Sequence, residues 1–219
     1  MYNSVFYKLT FLLTAIFLIK ACTPTIQEGK SKEINPADTL KVIRVVPVEK
    51  LKKLTNKELI NLSLKDTNIS SYLKEIYAQK KLVPANDSIM LTIVDSIGTK
   101  SKNSLFYFLT FTYSMNGSDG FLSEIIGYTS LDYLKNNTKE FFNYYNTVEE
   151  LNENHLGQWA EYIANEIYIS NSEQIETIDT NIFHQEIDKF KKEIISNLQS
   201  ENEKYSTLIQ KLFFKIKST

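Results

Sequence analysis

Catalysis at neutral pH draws first on histidine, cysteine, serine and paired carboxylates. In 219 residues the chain offers two histidines, His155 and His184, and one cysteine, Cys22. His155 lies in ENHLG and His184 in FHQEIDKF. Each reads as a solvated residue of a helix rather than a base or ligand, because neither has the second histidine at i, i+4 that pairs on a zinc helix. Asp119, Ser123 and Glu124 lie close together after a turn and would form an acid–base pair beside a hydroxyl. No G-x-S-x-G elbow carries the serine, however, and helix capping accounts more simply for Ser118 and Asp119. The stretch Asn116 to Glu124 holds two glycines and one aspartate, the composition of a turn rather than a calcium loop. The six glycines are too dispersed for a phosphate loop or a dinucleotide fingerprint. No catalytic, cofactor or metal site is therefore expected, and the chain reads as non-enzymatic.

Cys22 is the exception, because its surroundings are specific. Residues 1–8, MYNSVFYK, carry the amino terminus and Lys8 as positive charges. The run Leu9 to Ile19, LTFLLTAIFLI, is apolar apart from two threonines. At about 1.5 Å per residue it spans roughly half of a ~30 Å hydrocarbon core. It is too short for a transmembrane helix and has the length of the apolar region of an export signal. A lone cysteine excludes an intrachain disulfide.

The segment Ile19-Lys20-Ala21-Cys22 resembles the lipobox of bacterial lipoproteins, an aliphatic residue and two mostly small residues before the modified cysteine. Ile19, Ala21 and Cys22 match, while Lys20 stands where the pattern usually has a small or uncharged residue. The resemblance covers about the first tenth of the chain. It implies that diacylglycerol (hence palmitate-type acyl chains) is added to the Cys22 thiol, that residues 1–21 are removed as a signal peptide, and that Cys22 becomes the acylated amino terminus. It also implies a place in the cell envelope, at the outer membrane, since Thr23 rather than Asp follows the cysteine. Residues 22–38 then form a lipidated tether, poor in apolar residues and containing Pro24, Gly29 and Pro36.

The remaining composition narrows the partners. Formal net charge is -1 and Arg44 is the single arginine, so the basic stripe and bidentate arginines of a nucleic-acid binder are missing. Hydrophobic residues make up 42% of the chain, enough to build a core.

Residues 39–219 read as one α+β domain. Leu40 to Val46, LKVIRVV, is β-branched and closed by Pro47. Thr55 and Glu58 form a capping-box pattern before a short helix. A second helix is expected over 69–82, ended by Pro84. Ser88 to Asp95, SIMLTIVD, and Asn103 to Met115, NSLFYFLTFTYSM, read as antiparallel strands joined by the loop IGTKSK. Together these predict a small antiparallel sheet of two to four strands, followed after the Asn116–Gly120 turn by a predominantly helical C-terminal half. There, Thr138 and Thr147 read as helix starts. Leu156, Trp159, Ala160, Ile163 and Ile167 form one apolar stripe, and Phe183, Ile187, Phe190, Ile194 and Leu198 another. The polar run Gln199 to Lys204 marks either a shift of face in one long helix or a junction between two.

Two features bear on partners. The run Phe141-Phe142-Asn143-Tyr144-Tyr145 wraps round a helix, so some of its rings must face outward. Phe142, Tyr144 and Tyr145 are thus candidate protein-contact residues. The tripeptides starting at Asp38, Asp87 and Asp95 resemble the short O-glycosylation acceptor pattern of Bacteroidetes, with Thr39, Ser88 and Ser96 as the acceptors implied. The chain as a whole reads as a lipid-anchored envelope protein that binds a protein partner; an immunity protein against a delivered toxin is one concrete version. A cell-wall hydrolase using a carboxylate or tyrosine site would instead need a deep pocket lined by such groups. A structural subunit of an envelope machine would need a large apolar patch on the C-terminal helices.

Overall fold

The structure, a computed structural model, describes residues 54–172 and 180–219. The export signal, Cys22, the tether, Thr39 and the segment Leu40 to Val46 lie outside the described residues.

Within the described residues the expected sheet is absent: the chain is all-helical. The helices are α1 (Asn56–Lys65), α2 (Ser71–Gln79), α3 (Asp87–Ile97), α4 (Ser104–Ser114) and α5 (Gly120–Asn136). They are followed by α6 (Thr138–Thr147), α7 (Glu153–Ser172), α8 (Thr180–Leu198), a single 3-10 turn (Gln199–Glu201) and α9 (Asn202–Ser218).

Local chemistry explains why the two expected strands are helices. The Asn86 side chain caps α3 by accepting from the Ile89 amide at 3.0 Å. Within α3, the hydroxyls of Thr92 and Ser96 donate back to the carbonyls of Ile89 and Ile93. Ile93, Ser96 and Ile97 are its buried positions, a helical spacing. In α4, the residues from Leu105 to Ser114 are buried except Tyr107, which is partly buried. A segment that is apolar all round fits a period of two or of 3.6 equally well, so alternation carried no information there. Such a helix belongs at the centre of a fold. Its polar members are satisfied locally: Thr110 Oγ1 donates to the Phe106 carbonyl at 2.9 Å and Ser114 Oγ to that of Phe111 at 2.7 Å. The loop IGTKSK thus joins two packed helices instead of closing a β-hairpin.

Other features match the sequence pattern. Thr55 and Glu58 form a complete capping box, with the Thr55 amide donating to Glu58 Oε2 at 2.7 Å and the Glu58 amide to Thr55 Oγ1 at 3.3 Å. Helix α2 ends at Lys80 in the left-handed conformation, and the turn before α5 places Gly117 and Gly120 at positive φ. Gln199, at φ +53°, breaks the C-terminal segment into two helices that pack on each other. Thr147 proves to be the last residue of α6; α7 begins six residues later.

The packing has two centres. Helix α4 is covered by α1, α2 and α3 on one side and touches α7 on another. Helix α7 in turn carries α5, α8 and α9. Trp159 of α7 joins the two centres. Its ring stacks on Phe108 at 5.4 Å between centroids and meets Phe141 edge-on at 5.0 Å, and its Nε1 donates to Thr112 Oγ1 at 3.0 Å.

Candidate interaction face

Helices α5 and α7 pack against each other at Gly127. A Cβ there would lie 3.5 Å from Glu166 Oε2 and 3.6 Å from the Tyr162 carbonyl, ordinary contact distances that leave room for a methyl group. The two helices are also tied by Tyr162, whose hydroxyl shares a short hydrogen bond with Ser118 Oγ and accepts from Ser123 Oγ at 3.5 Å. Between them lies a shallow cleft of about 190 Å³ whose walls include Ser123, Glu124, Tyr162, Asn165 and Glu166.

Two exposed residues of the lining are large and apolar. Tyr168 and Ile169 of α7 are 49% and 48% exposed. On α5, Phe121 and Tyr128 are 57% and 64% exposed. Seven residues apart, those two share the side of α5 that carries Glu124. Large apolar side chains gathered on adjacent helices mark a contact surface more strongly than single exposed residues do. The contrast is α9, where Phe214 is 74% exposed but stands alone among the large apolar side chains of α8 and α9. No extended apolar patch on those two helices accompanies it among the described residues.

The aromatic residues singled out from the sequence lie elsewhere. Phe142 is fully buried and stacks on Tyr205. Tyr144 and Tyr145 are partly buried and pack on the core around Phe108 and Phe141. The Tyr144 hydroxyl donates to Glu140 in a short hydrogen bond. Burial first, and then that bond and the Glu140 charge, push the Tyr144 hydroxyl far above its usual range. Tyr133 and Tyr145 are raised chiefly by burial as well. These three belong to the core and line none of the clefts described here. Helix α6 therefore turns this aromatic run inward, and the exposed rings are supplied by α5 and α7. Phe121 and Tyr128 could have been noticed from their i, i+7 spacing; nothing in the sequence pairs them with Tyr168.

His155 is part of a cap. Asn152 Oδ1 accepts from the His155 amide at 3.1 Å, and His155 Nδ1 accepts from the Asn152 amide at 3.3 Å. This is a capping box with histidine in the place of Glu or Gln. Its ring is half-buried against Tyr113, at 5.4 Å between centroids. Burial and then the Lys80 charge push the imidazole below its ordinary value, while a hydrogen bond to the Glu150 backbone opposes them. His184 is exposed beside Phe183. Asp119 occupies the position before α5 without a side-chain capping bond, and Ser118 bonds to Tyr162 instead. Ser123 and Glu124 line the cleft. Ser88 is exposed in the first turn of α3, whereas Ser96 is buried with its hydroxyl donated to Ile93.

A second cleft runs along α1 and is lined by Lys57, Ile60, Asn61, Tyr77, Glu149 and Glu150 among others. Among the described residues there is no grouping of three or more histidine, cysteine, aspartate or glutamate side chains that could hold a metal, and no helix long and apolar enough to cross a membrane. We found no match to the chain among protein-family models, curated proteins or solved structures.

Proposed function

We propose that the chain is a lipid-anchored protein of the cell envelope that binds a protein partner through the α5–α7 face. The observation that carries this reading is the set of exposed large apolar side chains on two packed helices: Tyr168 and Ile169, which line the cleft, and Phe121 and Tyr128 on the side of α5 that carries Glu124. Aromatic side chains offer a partner large contact area at low entropic cost and are favoured at interface centres. The Cys22 lipid and the tether behind it supply the anchor in this reading, and they rest on the lipobox resemblance of Ile19 to Cys22.

Two experiments test the two halves. A photoreactive phenylalanine at Tyr128 in intact cells is expected to give a discrete crosslinked protein, and the same group at exposed His184 is expected not to. Equal crosslinking from both positions, or none from Tyr128, would refute the partner-binding half. Cys22→Ser is expected to abolish palmitate labelling and release the protein from membranes; a variant that stays membrane-bound would show that the apolar stretch before it is itself the anchor.

A further inference from the structure

We infer that the α5–α7 cleft receives a basic side chain, an arginine in preference to a lysine, presented by the protein partner. This inference deepens the proposed function and rests on it.

The chemistry of the lining sets the sign of the occupant. Glu124 and Glu166 are the ionisable carboxylates of the cleft, and no lysine, arginine or histidine lines it. Neither is in an ion pair among the described residues, whereas Asp66, Glu153, Glu186, Asp188 and Glu201 each have a lysine partner. Glu166 is held in place: Oε1 accepts the Ser170 hydroxyl at 3.2 Å, and Oε2 lies over Gly127. An ionised carboxylate only accepts hydrogen bonds, so Oε2 has capacity for a donor from outside. The cleft along α1 differs, because Lys57 lies in the same lining as Glu149 and Glu150.

Desolvation then excludes the other occupants. A purely apolar or anionic group covering this face would take Glu124 and Glu166 out of water without a counter-charge, which is unfavourable for an uncompensated ion. A guanidinium neutralises a carboxylate with two parallel N–H donors and stacks on aromatic rings, and the half-exposed ring of Tyr168 lines the cleft beside Glu166. An ammonium meets the charge but not the fork geometry, which gives the preference for arginine.

The test uses the full chain in non-ionic detergent, with the peptide Ac-GRGRG-NH2 as probe and Ac-GEGEG-NH2 as its acidic counterpart, read by amide chemical shifts. The arginine peptide is expected to shift the resonances of Gly127, Tyr162 and Glu166 saturably, and the acidic peptide is not. The double variant Glu124→Gln/Glu166→Gln should weaken that binding roughly tenfold, while Glu149→Gln/Glu150→Gln leaves it unchanged. The inference is overturned by absence of saturable shifts, by shifts confined to the α1 cleft, or by binding that survives the double substitution. Crosslinking from Tyr128 without arginine-peptide binding would leave the partner-binding reading standing and remove only this one; failure of both would remove both.

Discussion

Trp159 Nε1 donates to Thr112 Oγ1 at 3.0 Å where α7 crosses α4, and both side chains are fully buried. The bond is the polar pin in an otherwise aromatic contact. Thr112→Val keeps the shape of the side chain and removes the acceptor, leaving the indole N–H desolvated without a partner. That should cost about 1–3 kcal/mol, and Thr112→Ser should recover most of it. Urea unfolding of the three proteins measures both changes, and an unaltered Thr112→Val protein would show that the bond contributes nothing net.

The His155 cap makes stability depend on pH. The folded imidazole titrates below its unfolded value of roughly 6.5, so the unfolded chain binds more protons as the solution is acidified. The contribution is fully present above that value and is lost as pH falls through the folded one. His155→Gln keeps a side chain able to close the capping box and removes the titration. Wild type should therefore lose more stability than His155→Gln between pH 7.5 and pH 5.5, measured as unfolding free energy at each pH. Equal losses would show that the ring does not titrate with folding.

Gly127→Ala should be tolerated. Its methyl would meet Glu166 and Tyr162 at 3.5 Å and 3.6 Å, ordinary contact distances, in a helix interior where glycine is the weaker former. Stability should rise by about 0.5–1 kcal/mol. A fall in melting temperature would mean that α5 and α7 cannot give even a few tenths of an ångström here.

Tyr113 offers the opposite case to Trp159. Its ring is buried between Tyr77 and His155, with the Lys80 ammonium 5.6 Å from its centroid, but its hydroxyl has no hydrogen-bond partner among the described residues. Burial is the main cause that raises this hydroxyl far above its ordinary range. Tyr113→Phe should hold stability or raise it by up to about 1 kcal/mol, as thermal unfolding will show. A loss of more than that would reveal a bond through solvent.

Caps and turns were legible from the sequence because they are local: Thr55 and Glu58, and Gly117 with Gly120, act within a few residues of themselves. The stripes of α7 and α8 were legible because their buried residues recur at helical spacing with polar residues between them. The identity of α3 and α4 was not, since Ile, Val, Thr and Phe favour strands in isolation and only the surrounding helices decide otherwise. The candidate face was illegible for a related reason. Helix α6 buries the aromatic run that looked like a surface, and the exposed rings of α5 and α7 come onto neighbouring surfaces only when those two helices pack.

The position of α4 also governs how the chain comes into being. A polypeptide emerges from its N-terminus, so α1, α2 and α3 are at hand when α4 appears, but Trp159 is 47 residues behind Thr112. Until α5, α6 and α7 follow, the flank of α4 carrying Phe108 and Phe111 lacks the rings that cover it. That interval is when a holdase chaperone would find its best binding site on the nascent chain, and when truncation before Trp159 would yield a sticky fragment rather than a smaller domain.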